Sequence, residues 1–162
     1  MNKKITLVIA TIAIFLSITS LKAKILTQEQ LMVKSFYEKV LTVNSKFLPE
    51  KVLGDILANN FQSIDINVVK DKKTMISQMQ GLWKVIPDLK WEVQEVLQDG
   101  DKIIVRSIFS GTPKGSFLGL TLDGTKSFKS MSIDIHTVEK GKIVQIYHIE
   151  DWISVMQQLT AK

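Results

Sequence analysis

The chain has 162 residues, 45% of them apolar, no cysteine and a formal charge of +5. That length holds one domain of ordinary size, and the lack of cysteine excludes disulfides, thiolate metal sites and thiol nucleophiles. Arg106 is the only arginine and no basic cluster is interleaved with aromatics, which argues against nucleic acid as a partner.

Residues 1–23 have the layout of a signal peptide: Lys3 and Lys4, the apolar run ITLVIATIAIFL, then a Ser/Thr-containing stretch ending at Ala23. Cleavage there removes Lys3, Lys4 and Lys22 and no acidic residue, so the formal charge falls from +5 to +2. The expectation is a periplasmic or secreted protein that meets the membrane only through this segment during export. An uncleaved anchor over Ile5 to Leu21 is the alternative.

Thr27, with Gln30 three positions later, predicts a capping box opening a helix over 27–43 that carries Leu31, Phe36, Tyr37, Val40 and Leu41 on its apolar side. Pro49 predicts a second, shorter helix stopped by Asn59-Asn60, and FQSIDINVV is strand-like or irregular. A third helix follows over DKKTMISQMQGLWKVI, with Met75, Ile76, Met79, Leu82 and Trp83 on its stripe. From Pro87 onward the period changes to two, and four strands follow: LKWEVQEVLQ, KIIVRSIFSG, SFKSMSIDIHTVE and KIVQIYHIE. DWISVMQQL ends the chain as a short helix. Helices first and an antiparallel sheet after them predict an α+β fold with helices on one face of a curved sheet. Both faces are apolar, so the convex face is expected to make a homodimer.

The last two strands hold both histidines. A type I turn closed by a bulge at Gly141 would keep the even-numbered residues on one face, with Ser132, Asp134, His136 and Val138 opposite Val144, Ile146, His148 and Glu150. Asp134 and His148 would then be diagonal neighbours, whereas a two-residue turn would put them on opposite faces. A carboxylate beside an imidazole is a candidate acid–base pair, and the apolar residues around it make the face suitable for a small-molecule pocket. Asp134, His136 and His148 are too few and wrongly spaced for a zinc site, so no metal is expected.

The motifs Pro87-Asp88-Leu89, Gly111-Thr112 with Gly115, Phe117-Leu118-Gly119, Ile133-Asp134-Ile135, Gly141-Lys142-Ile143-Val144, His148 with Asp151, and Gln157-Gln158-Leu159 share an order and spacing. Together they make residues 24–162 resemble a SnoaL-like domain, that of the polyketide cyclase or ester cyclase family. The resemblance implies the cone-shaped fold of nuclear transport factor 2, with the N-terminal helices over the concave face of the sheet. It also implies cofactor-independent acid–base chemistry on a hydrophobic carbonyl or ester compound. In the family the paired positions carry His on the first hairpin strand and Asp on the second, and here Asp134 and His148 exchange them. Pro113, Leu122-Asp123-Gly124 and Ser63-Ile64-Asp65 depart from the family's usual rim motifs. On this reading His148 is the general base and Asp134 its partner. Arg106 or His136 steadies oxyanion charge, while Trp83, Phe109 and Ile146 wall the substrate. Arg106 has a structural alternative as an ion-pair partner of Asp101 or Asp151. The alternative function is a non-catalytic periplasmic ligand-binding or accessory protein using the same cone.

Overall fold

The computed structural model describes residues 25–44 and 49–161, so the apolar leader over 1–23 lies outside the described residues. Thr27 forms the expected capping box: its hydroxyl accepts from the Gln30 amide at 3.1 Å, and the Gln30 side chain accepts from the Thr27 amide at 2.9 Å. Helix α1 (Gln28–Phe36) then widens into one π-helical turn, Tyr37–Leu41. The wider turn shifts the helical phase, which brings Phe36, Tyr37, Val40 and Leu41 all into the interior.

After α2 (Pro49–Ile56) come β1 (Leu57–Asp65), β2 (Val68–Asp71) and α3 (Lys72–Val85). Asn59 and Asn60 lie within β1, beyond the helix they were expected to stop. The chain continues through β3 (Lys90–Asp99), β4 (Lys102–Gly111), the small hairpin β5 (Lys114–Phe117) and β6 (Leu120–Asp123), then β7 (Phe128–Glu139), β8 (Lys142–Glu150) and α4 (Trp152–Thr160). The main sheet has the order β2-β1-β8-β7-β4-β3. Every pair is antiparallel except β1 with β8, which run parallel. This is the α+β architecture expected, with two more strands in the main sheet than the periodicity alone identified.

Alternation decides which side chains face the helices. Along β4, Ile103, Val105, Ser107 and Phe109 are fully buried; along β7, Ser132, Asp134, His136 and Val138 point the same way. The aromatic rings gather on this concave side, where Phe109 stacks on Trp91 at 4.8 Å and meets Trp152 edge-on at 5.3 Å. At the end of β4 the chain passes so close to Ile86 that a Cβ on Gly111 would lie 2.3 Å from its Cγ2.

The β7/β8 turn differs from expectation. Glu139 pairs with Lys142, and both Lys140 and Gly141 have positive φ, 52° and 72°, so the loop has two residues and is of type I′. Such a turn alone would put Asp134 and His148 on opposite faces. A bulge restores the parity: Val138 pairs with Ile143 but Thr137 with Gln145, which leaves Val144 as the extra residue. Ile143 therefore takes the inward place expected of Val144. Beyond the bulge Asp134 lies directly across from His148, not diagonal to it.

Candidate functional site

Between the sheet, α3 and α4 lies a cavity of about 350 Å³, near the lower end of the ~300–1,000 Å³ usual for small-molecule sites. Met79, Ile86, Trp91, Phe109 and Ile146 give it apolar walls, and Asp134 and His148 face into it. Exposed Asp65 and Gln78, with half-buried Lys70, place its mouth between the β1–β2 edge and α3.

Asp134 is 5% exposed and sits on β7, the strand with the most inward polar groups. Its Oδ2 accepts from the Tyr37 hydroxyl at 2.8 Å and from the Ser132 hydroxyl at 3.0 Å. Ser132 is in turn 2.8 Å from Ser107 on β4, its ladder partner. Burial lifts the carboxyl from 3.8 to about 6 despite the Tyr37 bond that favours its charge. Behind it, outside the cavity lining, the Tyr37 hydroxyl also lies 2.8 Å from Nε2 of fully buried His136. Burial holds that imidazole neutral, its pKa driven from 6.5 down to about 3, and pushes the Tyr37 hydroxyl well above its ordinary 10.0.

His148 is bound elsewhere. Its Nδ1 lies 3.0 Å from Oε2 of Glu150, two residues on along β8 and on the same face. That hydrogen bond raises the imidazole above its ordinary 6.5, against partial burial and the nearby Lys70 cation. The orienting carboxylate of His148 is thus Glu150, where the sequence assigned Asp134. The cup holds two separate acid–base units side by side, one buried and one nearer the mouth.

The remaining sequence candidates divide. Phe109 and Ile146 line the cavity, as expected of walls. His136 does not reach it, because Tyr37 and Asp134 stand between. Arg106 points out of the opposite face, since even-numbered residues of β4 face outward; its Nε lies 3.4 Å from Glu95, its ladder partner, and not near Asp101 or Asp151. It cannot steady charge in the cup. Trp83 also lies outside the lining: α3 presents Met75, Met79 and Leu82 at helical spacing, and Trp83 falls about 100° round from Leu82. Trp91 and Trp152 supply the indoles instead. Sequence reasoning missed Tyr37 as a polar participant, although a tyrosine in an apolar helical stripe brings a hydroxyl that must find a partner. Among the described residues no three His, Asp or Glu side chains gather as a metal site.

The model of the SnoaL-like polyketide cyclase family matches residues 31–159. The chain belongs to that family. Solved structures agree on the fold. A protein from Jannaschia sp. CCS1 assigned as a SnoaL-like polyketide cyclase superposes with a TM-score of 0.73 at 20% identity, covering 83% of this chain and 93% of its own. IdmH from Streptomyces antibioticus, assigned as a polyketide cyclase, gives 0.70 at 21% identity over 82% and 99%. A Bacillus cereus protein with the same assignment gives 0.66 at 24% identity over 82% and 80%. At these identities the likeness is one of fold. None of the curated proteins matches the sequence. Members of the SnoaL-like family bind small hydrophobic molecules, and the aromatic cup around Asp134 has the matching character.

Proposed function

We propose that this SnoaL-like protein binds a hydrophobic carbonyl or ester compound in its cup and rearranges it by proton transfer without a cofactor. Asp134 is the base, and His148, whose charged form the Glu150 hydrogen bond favours, is the acid. One observation carries the reading: a nearly buried carboxylate in an apolar cup, anchored through one oxygen, directly across the ladder from a histidine that has its own carboxylate partner. Burial strengthens Asp134 as a base and the Glu150 bond favours the imidazolium, so the roles are the reverse of those expected from sequence.

In the cyclase form of the reaction, Asp134 takes a proton from carbon beside a carbonyl. The electrons of that C–H bond, held in the enolate, form a new C–C bond to a second carbonyl of the same molecule, whose π electrons move to its oxygen. That oxygen takes the proton of His148, and the cycle closes when the proton on Asp134 returns to His148. His148 stands where developing negative charge is favoured, as an oxyanion donor would.

The test uses a panel of aryl-substituted β-keto esters as probes, with deuterium uptake at the α-carbon in D₂O followed by NMR. The expected result is uptake above the buffer rate that disappears in Asp134→Asn. Binding of the probes with no uptake by either protein would leave the non-catalytic ligand-binding function standing in its place.

The same proposal takes the protein as exported, on the signal-like pattern of residues 1–23, and as a homodimer. The dimer reading rests on the convex face, where Met131, Ile133, Ile135, Tyr147 and Ile149 are 39 to 76% exposed side by side.

A further inference from the structure

Two hydrogen-bond chains converge on one oxygen of Asp134. One comes from β4 through Ser107 and Ser132, with gaps of 2.8 and 3.0 Å; the other comes from His136 through Tyr37, with gaps of 2.8 Å each. The direction of the second chain follows from counting protons. A tyrosine hydroxyl has one proton, so it cannot donate to His136 and Asp134 at once. If the His136 proton sat on Nδ1, Nε2 and the carboxylate would compete for that single proton. The same tautomer would leave an N–H buried without a partner, because Nδ1 touches no acceptor. With the proton on Nε2, His136 donates to the Tyr37 oxygen, Tyr37 donates to Asp134, and the only unmet group is the Nδ1 lone pair, the cheaper one to leave unpaired.

We infer that Tyr37 and His136 are positioning residues whose directed chain, with that of Ser107 and Ser132, keeps Oδ2 of Asp134 a permanent acceptor and reserves Oδ1 for the substrate proton. This inference rests on the proposed role of Asp134 as base. Protonation of Oδ2 would cost it one of its two incoming bonds: donating to Tyr37 it would turn that hydroxyl round and force His136 into its costly tautomer, and donating to Ser132 it would reverse the serine pair. Oδ1, free of both chains, is therefore the oxygen that takes and returns the proton. The groups facing Asp134 are Tyr37 from the π-helical turn, Ser132 and His136 from its own strand, and His148 and Glu150 from β8. Only the first three lie on the anchored side.

The experiment is read on the resting protein, so it stands apart from the deuterium-uptake assay. With two histidines in the chain, ¹⁵N-histidine labelling and long-range ¹H–¹⁵N spectra identify the tautomer of each. The expected result for His136 is a protonated Nε2 and a bare Nδ1, unchanged between pH 8 and pH 5. A protonated Nδ1 would overturn the inference. Carboxyl ¹³C titration of Asp134 supplies the second measurement. Tyr37→Phe is expected to move the midpoint up by about one pH unit, since a donor to the charged form is lost. His136→Leu is expected to move it up by less, and His136→Gln, whose amide can donate in the place of Nε2, to restore it. Midpoints unmoved in all folded variants, with only the melting temperature lowered, would reduce Tyr37 and His136 to packing. Deuterium uptake absent despite the expected tautomer and midpoints would instead strike at Asp134 as base.

Discussion

Asp134 and His148 stand directly opposite each other on β7 and β8, yet they share no hydrogen bond: Asp134 is held by Tyr37 at 2.8 Å and His148 by Glu150 at 3.0 Å. They act on each other only through space, each favouring the charged form of the other. The carboxyl titrates near 6, and the imidazole above its ordinary 6.5.

That separation predicts a bell-shaped pH dependence for any proton transfer in the cup. Activity should rise as Asp134 ionises through about 6 and fall as His148 loses its proton above 6.5. Glu150→Gln should move both limbs to lower pH, because Glu150 raises both groups. Deuterium uptake measured from pH 4 to 9 checks this; an acid limb that stays in place would contradict it.

Asp134→Asn should stabilise the protein at neutral pH. The folded pKa lies above the unfolded one, so the acid's contribution is fully present below 3.8 and is lost as pH rises through about 6. At pH 7 the buried charge costs about 3 kcal/mol relative to acid solution. Denaturant unfolding of the variant and the parent should differ by about that much more at pH 7 than at pH 3.5, the variant being the more stable.

His136 works in the opposite sense. Its folded pKa is depressed, so stability is complete above the unfolded value of 6.5 and is lost as pH falls toward about 3, by up to about 5 kcal/mol. Between about 6 and 3.8 the gain from Asp134 offsets this loss, so the parent should show a plateau there. In Asp134→Asn the plateau should become a continuous decline, and in His136→Gln acid unfolding should move to lower pH. Stability curves against pH for the three proteins decide it.

Much of this was legible in the chain. Thr27 and Gln30 specify the cap locally, and the bond the Thr27 hydroxyl donates to Gln98 leaves it intact; the alternation of β7 and β8 carries the inward face of Asp134 and His148 directly. The choice of turn was not legible, because Lys140-Gly141 and Glu139-Lys140-Gly141 fit two loops of different length and only the Val144 bulge reconciles the shorter one with the pattern. Arg106 was misplaced because both faces of β4 are apolar, so polarity could not tell inside from outside. Tyr37 reads as one more member of a stripe until a strand almost a hundred residues away supplies Asp134. Glu150 was visible on the right face, but i,i+2 pairing along a strand carries no signature beyond that shared face.

Gly111→Ala should be disproportionately costly for so small a change. The new methyl would meet the β-branched Ile86 at 2.3 Å beside the Asp88 carboxylate that accepts both the amide and the hydroxyl of Thr112 at 2.7 Å. Overpacking of this kind costs about 1–3 kcal/mol, and thermal unfolding would measure it. Ile86→Val, which leaves that Cγ2 in place, should not relieve the loss; Ile86→Ala in the same background should.

The convex face predicts a concentration-dependent dimer. Light scattering after size exclusion should give twice the chain mass, and Ile133→Glu with Ile149→Glu should give a monomer with an unchanged circular dichroism spectrum. A monomeric parent protein would end that expectation.

The extra residue at Val144 makes chemistry in this fold a matter of counting. Removing one residue between Lys142 and Gln145 would leave length, charge and hydropathy almost untouched, yet it would rotate the far half of β8 by half a turn. His148 and Glu150 would then look into solvent, and Tyr147 and Ile149 would fill the cup. Two relatives with nearly identical composition could thus differ as a reactive vessel differs from a stoppered one, and an aligned gap at this point is the cheapest sign of which is which.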